Sequence, residues 1–508
     1  THDPELYQVR KTTLELILST HPNDCLRCPR NGTCELQQLA ADFGIREMPF
    51  EMNVQEIPPD DSTPSIVLNP EKCVKCGRCV NVCQEVQNVY ALEFLDRGDG
   101  VRMAPAGDVL LNDSPCIKCG QCSAHCPVGA IFERDDTPAI YKGLRDERLH
   151  KSVQIAPAVR VALGEAFGLA PGELTTGKIY AALRRLGFDT VFDTPFGADL
   201  TIMEEATEFV HRFAHGNGEI PLITTCCPSW VDYMEKFYPE MIPHFSSAKS
   251  PQNMLAAMTK TYYAQQMGLD PSQMFHASIM PCTSKKYEIS RGDDMYSSGY
   301  QDIDASITTR ELARMIKSSG LDFLNLPEEE VDEALGLYSG AGTIFGATGG
   351  VMEAALRSAA YFITGEEIGA LEFEGIRGLD GVKHASVEIN GSEVRVAVAH
   401  SISNVAHVMD QVKDAVAKGE DPPYHFIEVM ACRGGCIGGG GQPYGHTDEI
   451  RRQRIQGLYN DDTGRGLRRS HRNPAIQKLY SDFLGEPLSE TSHKYLHTAY
   501  TPRPLYAK

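Results

Sequence analysis

All sixteen cysteines of this chain stand at spacings that are typical of metal ligands. Eleven of them form three local groups within the first 130 residues, and the other five are spread between Cys226 and Cys436. Thiolates are soft ligands that hold iron–sulfur clusters, whose reduction potentials depend on burial and hydrogen bonding. The cysteine pattern therefore indicates iron–sulfur chemistry at several sites.

The first group combines one histidine with three cysteines. His21, Cys25, Cys28 and Cys34 follow the pattern H-x3-C-x2-C-x5-C. A [4Fe–4S] cluster needs four ligands, so His21 is the expected fourth ligand beside three thiolates. A zinc site with three cysteines, or a different fourth ligand, is the alternative. An imidazole removes one negative charge from the ligand set, which should raise the potential of this cluster.

The next two groups repeat the pattern C-x2-C-x2-C-x3-C about 43 positions apart. In bacterial two-cluster ferredoxins the fourth cysteine of each such run ligates the other cluster. One cluster is therefore assigned Cys73, Cys76, Cys79 and Cys126. The other is assigned Cys116, Cys119, Cys122 and Cys83. The first run has Gln84 where the second has Pro127, and two zinc ribbons are disfavoured because the ligand order does not suit them.

The last five cysteines belong to three separated segments: ITTCCPSW (223–230), IMPCTSKKYE (279–288) and EVMACRGGCIGGGGQP (428–443). Isolated cysteines are usually buried core thiols. Here each segment follows an apolar strand and opens a turn or helix, which is where sites form in α/β sheets. The glycines at 438–441 remove side chains beside the last thiol, as close approach to a bulky cofactor requires.

These three segments resemble the three signature motifs of the [FeFe]-hydrogenases, with Thr225 in place of the more usual Ser, and the likeness extends over essentially the whole chain. The segment around His21 resembles the His-ligated cluster region shared by the large iron–sulfur subunit of complex I and related hydrogenases. The resemblance implies an H-cluster, in which a [4Fe–4S] part joins a two-iron subsite carrying CO, CN⁻ and an azadithiolate. Its ligands would be Cys227, Cys282, Cys432 and Cys436, with Cys436 bridging to the subsite.

The same resemblance implies roles for residues around the cofactor. The family's proton route would run from Cys226 through Glu205, Ser246 and Glu208 to the surface. Arg212 would be the partner of Glu288 at the mouth of this route, Lys285 would donate to a cyanide, and Met280 and Met430 would line the subsite. Each residue also has an ordinary interpretation: a spare thiol, a solvated acidic helix face, a surface ion pair or core packing.

The organisation of the chain predicts an α/β multidomain protein. We expect a small His-cluster domain at 1–68, a two-[4Fe–4S] ferredoxin-like α+β domain at 69–150, a large α/β H-cluster domain with parallel sheets at 151–455, and a C-terminal helical extension at 456–508 that wraps the large domain. The first twenty residues predict an amphipathic helix. Asn390–Gly391 suits the type I′ turn of a β-hairpin.

The charge and composition exclude some classes of protein. Lys plus Arg total 48 and Asp plus Glu total 68, so the net charge of −20 disfavours nucleic acid and anionic membranes as partners. We expect no membrane span and no signal peptide, and the thiols favour a reducing cytoplasm. The chain does not begin with Met, and its first ten residues resemble the end of a connector that follows an N-terminal [2Fe–2S] domain. Such a domain is therefore expected upstream.

The sequence thus predicts reversible H₂ oxidation and proton reduction, with three [4Fe–4S] clusters that carry electrons to a redox partner, either a ferredoxin or a flavoprotein or iron–sulfur subunit of a hetero-oligomer. The role could be that of the catalytic subunit of an electron-bifurcating NAD(P)/ferredoxin hydrogenase or of a hydrogen-dependent CO₂ reductase. The chain has no G-x-G-x-x-G fingerprint after a strand, so a nicotinamide or flavin site would belong to a partner. The rival classes are a non-enzymic iron–sulfur assembly protein and a hydrogen sensor.

Overall fold

The computed structural model describes residues 3–367, 369 and 372–507. The chain divides into two compact units. The first unit runs to Arg134 and includes the residues from Leu505 to the C-terminus, and the second unit is Asp135–Pro504. None of the described helices is both long and apolar enough to cross a membrane.

The first unit opens with the predicted amphipathic helix, α1 (Pro4–Ser19). The Asp3 side chain caps this helix by accepting from the backbone amides of Glu5 and Leu6, and Leu14 and Leu18 supply its buried face. The other elements of this unit are α2 (Glu35–Asp42), β1 (Ile66–Leu68), α3 (Arg78–Asn81), β2 (Leu92–Leu95), β3 (Arg102–Pro105), α4 (Gln121–His125) and β4 (Ile131–Glu133).

The ferredoxin-like part of the first unit has the pseudo-symmetry that the repeated cysteine pattern predicts. Strand β1 pairs with β4 and β2 pairs with β3, both antiparallel. The short helices α3 and α4 occupy equivalent positions in the two repeats, each after a left-handed glycine, Gly77 and Gly120. Glycine suits both sites because this conformation is strained for other residues.

The second unit contains two four-stranded sheets. One sheet has the strand order β6-β5-β8-β9 and is parallel throughout. The other has the order β10-β11-β12-β7, in which only the β10–β11 pair is antiparallel. The strands are β5 (His150–Ile155), β6 (Thr190–Asp193), β7 (Leu222–Ile223), β8 (Met274–Met280), β9 (Ala305–Thr308), β10 (Val382–Ile389), β11 (Ser392–His400) and β12 (Phe426–Met430).

Helices cover both sheets, so the predicted α/β architecture is confirmed. They are α5 (Thr137–Arg145), α6 (Thr176–Leu186), α7 (Thr194–His215), α8 (Pro228–Phe237), α9 (Pro251–Met258), α10 (Ala264–Met267), α11 (Lys285–Glu288), α12 (Thr309–Ser318), α13 (Gly340–Ile344), α14 (Gly350–Thr364), α15 (Ile402–Lys418), α16 (Asp448–Gly464), α17 (Pro474–Leu479) and α18 (Glu490–Leu496). Helix α5, which we assigned to the ferredoxin-like domain, belongs to the second unit, where Gly143 lies against the Phe275 ring.

One local expectation is also confirmed. The β10–β11 hairpin turns at Asn390 and Gly391, whose φ angles of 51° and 75° are those of a type I′ turn. The stretch before Leu505 is mainly helical and belongs to the second unit, while its role as an extension that wraps the large domain stays a prediction. Its last stretch pairs with the loop before α9, because the amide of Lys249 donates to Leu496 and the amide of Thr498 donates to Ser247.

Candidate functional site

The second unit contains a buried cavity of about 710 Å³, here called the large cavity. Its wall carries all five C-terminal cysteines together with Lys285, Met280 and Met430. Three strands deliver these residues: β7 ends just before the first cysteine pair, β8 just before Cys282 and β12 just before Cys432. Because sites in α/β sheets form at the carboxyl ends of strands, the fold itself brings the three segments together.

The glycine-rich segment holds the third motif against the second. A side chain at Gly439 would meet the carbonyl oxygen of Pro281 at 2.2 Å, and one at Gly441 would meet Thr308 at 2.8 Å. The amide of Gly441 donates to Pro281 over 2.8 Å. Gly439 also lines the large cavity. The glycines therefore allow close backbone packing as well as the approach to a cofactor that we expected.

The residues of the large cavity suit an iron–sulfur group. Burial raises the pKa of Cys226 well above 9, and the negative charge of Glu205 adds to the rise. Burial likewise raises the pKa of Cys282 to about 12. Four thiols that converge on an apolar cavity are costly to ionise without a metal, so this donor set fits a bound cluster. Lys285 supplies the positive charge, and its Nζ lies 3.1 Å from the carbonyl oxygen of Cys226.

Glu205 is a buried acid whose charge is poorly stabilised. Its side chain is 0% exposed, and neither carboxyl oxygen makes a close, well-aligned hydrogen bond to a described residue. Burial raises the pKa of Glu205 to about 8; nearby Glu208 adds to the rise, while the Ser246 hydroxyl and the Thr225 backbone oppose it. A carboxyl group with a pKa near 8 can hold and release a proton at physiological pH.

Glu208 lies one turn further along α7, near the surface. It accepts from the Ser246 hydroxyl at 3.4 Å and from the amide of Ser247 at 3.1 Å. Arg212 donates to Glu208 over 2.6 Å and also to the carbonyl oxygen of Phe245. The structure therefore brings Glu205, Ser246 and Glu208 into one neighbourhood, and their order in a proton route stays a prediction.

The expected pairing of Arg212 with Glu288 is wrong. Arg212 pairs with Glu208, which stands four residues before it on the same helix face. Glu288 instead accepts from Lys285 at 2.9 Å, and Ser250 and Gln252 also donate to it at 2.9 Å. Both ion pairs join residues three or four positions apart on one helix. Glu288 therefore positions the Lys285 ammonium group and does not pair with Arg212 at the mouth of the proton route.

Sequence reasoning missed two residues beside Glu208. The Ser247 hydroxyl donates to Glu208 at 3.2 Å and lies 2.8 Å from Nδ1 of His497. Nε2 of His497 lies 3.0 Å from the buried carboxylate of Glu204. A chain of groups that can exchange protons thus branches from Glu208 into the C-terminal segment. No sequence signal predicted it, because His497 lies 250 positions from Ser247.

In the first unit the two ferredoxin-type cysteine sets line two separate cavities, each with three thiols of one run and the fourth of the other. The Cys73 cavity, of about 310 Å³, is lined by Cys73, Cys76, Cys79 and Cys126. The Cys116 cavity, of about 360 Å³, is lined by Cys83, Cys116, Cys119 and Cys122. No three His, Cys, Asp or Glu side chains of the described residues converge on a point that would hold a single ion. The thiols instead surround a space, as ligands of a cluster must.

His21 lies with two of its cysteines on a third cavity, of about 910 Å³, which Cys25 and Cys34 also line. Cys28 is not in this lining; its sulfur lies beside Gly129, where a side chain would meet it at 2.4 Å. His21 is 8% exposed, and its Nδ1 has no hydrogen-bond partner in the part of the chain that is described. Burial and then the charge of Lys72 lower the pKa of His21, which favours the neutral imidazole that binds metals.

Replacing His21 with alanine should remove one cluster, and about four iron atoms per chain, because three thiolates leave one iron without a protein ligand. His21→Cys should keep the cluster and lower its potential, since a thiolate adds a negative charge. Iron analysis and a redox titration followed by electron paramagnetic resonance (EPR) measure both effects. The surface variant His407→Ala is the control. Full iron content in His21→Ala, or zinc in place of iron, would contradict this assignment.

Comparison with known proteins places the chain in a family. The model of the iron-only hydrogenase large subunit, C-terminal domain, matches residues 150–440, and that of the iron hydrogenase small subunit matches 448–503. An iron–sulfur binding region of NADH-ubiquinone oxidoreductase G matches 10–49, and a 4Fe-4S dicluster domain matches 72–130. The chain belongs to the iron-only hydrogenase family.

Individual relatives agree with this placement. The NADP-reducing hydrogenase subunit HndD of Solidesulfovibrio fructosivorans is 47% identical over 99% of this chain and 86% of its own length. Iron hydrogenase 1 of Clostridium pasteurianum is 44% identical over 96% of this chain and 85% of its own length. The apo form of a variant of [FeFe]-hydrogenase HydA1 from Chlamydomonas reinhardtii superimposes with a TM-score of 0.63 at 41% identity, over 72% of this chain and 99% of that one.

The rival assembly class is also represented among the relatives. The cytosolic Fe-S cluster assembly factor narfl of Xenopus tropicalis is 32% identical over 68% of this chain and 73% of its own length. The identity to the hydrogenases is higher and extends over nearly all of the chain. The chain is therefore an iron hydrogenase, and iron–sulfur clusters and an H-cluster are its cofactors.

Proposed function

We propose that this chain catalyses the reversible oxidation of H₂ to protons and electrons at an H-cluster in the large cavity. The observation that carries the proposal is the convergence of five cysteines from three distant segments on one buried cavity, with the buried acid Glu205 close behind. Cys227, Cys282, Cys432 and Cys436 would hold this group, whose two-iron subsite would carry CO, CN⁻ and an azadithiolate. When bound, this group supplies the iron centre at which H₂ is split or formed.

The protein around the cofactor would orient it and exclude water. Met280 and Met430 line the large cavity with apolar thioethers. Lys285 presents an ammonium group at the wall, and Glu288 raises the pKa of Lys285 against the effect of burial, so the charge persists. A fixed ammonium would donate to an anionic ligand such as cyanide by a charge-assisted hydrogen bond.

Protons would pass through residues of this chain. Cys226 lies at the cavity wall and the charge of Glu205 acts on it more strongly than that of its neighbouring thiols, so the thiol would exchange a proton with the Glu205 carboxyl group. The Ser246 hydroxyl and the Glu208 carboxylate would carry it towards the surface, where Arg212 holds Glu208 in place. Each member can both give and accept a proton, except Arg212, which positions its neighbour.

Electrons would leave through three [4Fe–4S] clusters in the first unit. One would be held by His21, Cys25, Cys28 and Cys34, and two by the crossed ferredoxin-type sets. The division into 1–68, 69–150, 151–455 and 456–508 stays a proposal about which stretch serves which cofactor, except that 135–150 belong to the second unit and the stretch from Leu505 belongs to the first. Two of the accessory clusters are supported by the cavities that enclose the crossed thiol sets.

The partner that receives the electrons is proposed by analogy. HndD is named as a subunit of an NADP-reducing hydrogenase, and 99% of this chain aligns with it. We propose a hetero-oligomer in which a flavoprotein or iron–sulfur subunit exchanges electrons with the first unit, in an electron-bifurcating hydrogenase or a hydrogen-dependent CO₂ reductase. A ferredoxin is the other possible acceptor, and a cytoplasmic location stays a prediction.

Hydrogen assays on the assembled protein test the proposal. The purified chain, loaded with iron–sulfur clusters and the two-iron subsite, should evolve H₂ from a reduced viologen and reduce the oxidised viologen under H₂. The same protein without the two-iron subsite is the matched control and should do neither. If the fully loaded protein shows no activity in either direction, the proposed function is wrong and the assembly class becomes the better interpretation.

A further inference from the structure

The two ferredoxin-type cavities of the first unit differ in polarity. Apart from its four thiols, the Cys73 cavity is lined by apolar residues and glycine among those described, including Phe94, Met103 and Val128. The Cys116 cavity also contains two amide side chains, Gln87 and Gln121. Two sites with the same ligand pattern therefore offer different surroundings to their clusters.

Gln87 is the amide that lacks a partner. Its side chain is 1% exposed, and neither Nε2 nor Oε1 has a hydrogen-bond partner in the described ranges. A buried polar group without a partner costs roughly 1–3 kcal/mol, so it persists where it has something to bind. The amide lies on the wall of a cavity whose other lining atoms include four thiols, and sulfur accepts hydrogen bonds from N–H groups.

A local insertion places Gln87 on this wall. Leu92, the end of the Val-x-Ala-Leu segment (89–92), stands nine positions after Cys83, whereas Ile131, the end of Val-x-Ala-Ile (128–131), stands five positions after Cys126. The longer stretch after Cys83 begins in a π-helical turn, Val82–Val86, which Gln87 follows directly. Asn88 and Tyr90 then have φ angles of 50° and 55°, which are strained for side chains of their size. Such turns and strain concentrate at functional positions.

Backbone donors do not distinguish the two sites. The backbone amides of Tyr90, Ala91 and Leu92 lie close enough to interact with the Cys83 thiol. Val128, Ala130 and Ile131 do the same for Cys126. Each fourth ligand thus has three backbone donors, and the Gln87 side chain is an additional donor at one site.

We propose that the Nε2 amide of Gln87 donates a hydrogen bond to a sulfur of the cluster in the Cys116 cavity and thereby raises the reduction potential of that cluster. The inference rests on the cluster ligation given under the proposed function. A cluster gains one negative charge when it takes up an electron, so a donor to sulfur stabilises the reduced form more than the oxidised form. The electron still passes on to another cluster, and the amide affects only the stability of the reduced state from which it leaves.

The test compares Gln87→Leu and Gln87→Met with the unaltered chain by redox titration monitored by EPR, without the two-iron subsite. We expect one cluster to become about tenfold harder to reduce, which is about 59 mV for a one-electron couple, while the other clusters keep their potentials. Gln87→Met keeps the length of the side chain and guards against a packing defect in Gln87→Leu. Gln84→Leu, on the same turn but outside the cavity lining, is the matched control.

The outcomes separate this inference from the function on which it depends. If the unaltered chain shows no ferredoxin-type clusters, the proposed ligation fails. If it shows them and both Gln87 variants leave every potential unchanged or lose the cluster, the ligation holds and the role of Gln87 is wrong. An equal shift in Gln84→Leu would also overturn the inference, because the turn and not the amide would then set the potential.

Discussion

Replacing Cys226 with alanine should reduce hydrogen turnover by about 10²- to 10⁴-fold, the range for loss of a positioned acid–base group, while all clusters stay bound. Cys226 lies on the wall of the large cavity, where the charge of Glu205 raises its pKa further than burial alone. We propose that Cys226 is a proton carrier and not a cluster ligand. Iron content, cluster EPR signals and the infrared bands of the two-iron subsite should match those of the unaltered enzyme. Activity assays in both directions measure the loss.

The adjacent cysteine gives a matched control for this experiment. Cys227→Ala should lose the [4Fe–4S] part of the H-cluster, because one of its four thiolates is missing. The two substitutions should therefore have different effects: Cys226→Ala should impair proton transfer, and Cys227→Ala should lower the iron content. Normal turnover in Cys226→Ala, or loss of iron from it, would show that this thiol is not the carrier.

Replacing Glu205 with glutamine should reduce turnover by about 100-fold and, at alkaline pH, stabilise the fold. Burial raises the pKa of Glu205 to about 8 from an ordinary 4.5, so the folded protein holds a proton that the unfolded chain releases. The stability of the unaltered protein should therefore fall as the pH rises from about 4.5 to about 8. The stability of the Glu205→Gln variant should not fall in this way. Near pH 8 its free energy of unfolding should exceed that of the unaltered protein by a few kcal/mol, at about 1.4 kcal/mol per pKa unit.

Glutamine at the preceding residue, Glu204, should change the stability of the protein in the opposite direction. Although burial opposes its ionisation, hydrogen bonds from His497, Ser492 and Tyr480 lower the pKa of Glu204 below 4.5. Its contribution to stability is present at neutral pH and is lost as the pH falls through the folded-state pKa. Glu204→Gln should thus destabilise the protein at pH 7. Thermal unfolding of both variants at pH 5 and pH 8 measures the contrast, and equal behaviour of the two would contradict it.

Much of the site could be predicted from the sequence because its signals are local. The spacing of each cysteine run predicts its ligand set, including the exchange of Cys83 and Cys126, and the structure encloses those thiols in the expected combinations. The strands before Cys226, Cys282 and Cys432 were identifiable as short apolar runs followed by turns. Parallel pairing places the carboxyl ends of β7 and β12 at one edge of their sheet. Strand β8 belongs to the other sheet, so only the complete fold brings Cys282 to the same cavity.

The parts that sequence reasoning missed depend on packing between distant segments. Arg212 has acidic residues within reach on several elements, and only the folded helix shows that Glu208 is the one it pairs with. His497 reaches Ser247 because the C-terminal segment pairs with the loop before α9. Gln87 resembles any other amide in a loop until the cavity beside it is known. Spacing rules cannot predict such contacts, since each one depends on the complete fold.

The exchanged cysteines of the first unit also bear on how the two clusters are gained and lost. Each repeat contributes three thiols to one cavity and one to the other, so neither repeat contains a complete set of ligands. We expect the pair to load cooperatively, because filling one cavity immobilises a ligand-bearing segment of the other. Oxidative damage to one cluster would weaken the binding of its neighbour in the same way. Chains would therefore carry both clusters or neither, and chains with only one of the two would be rare.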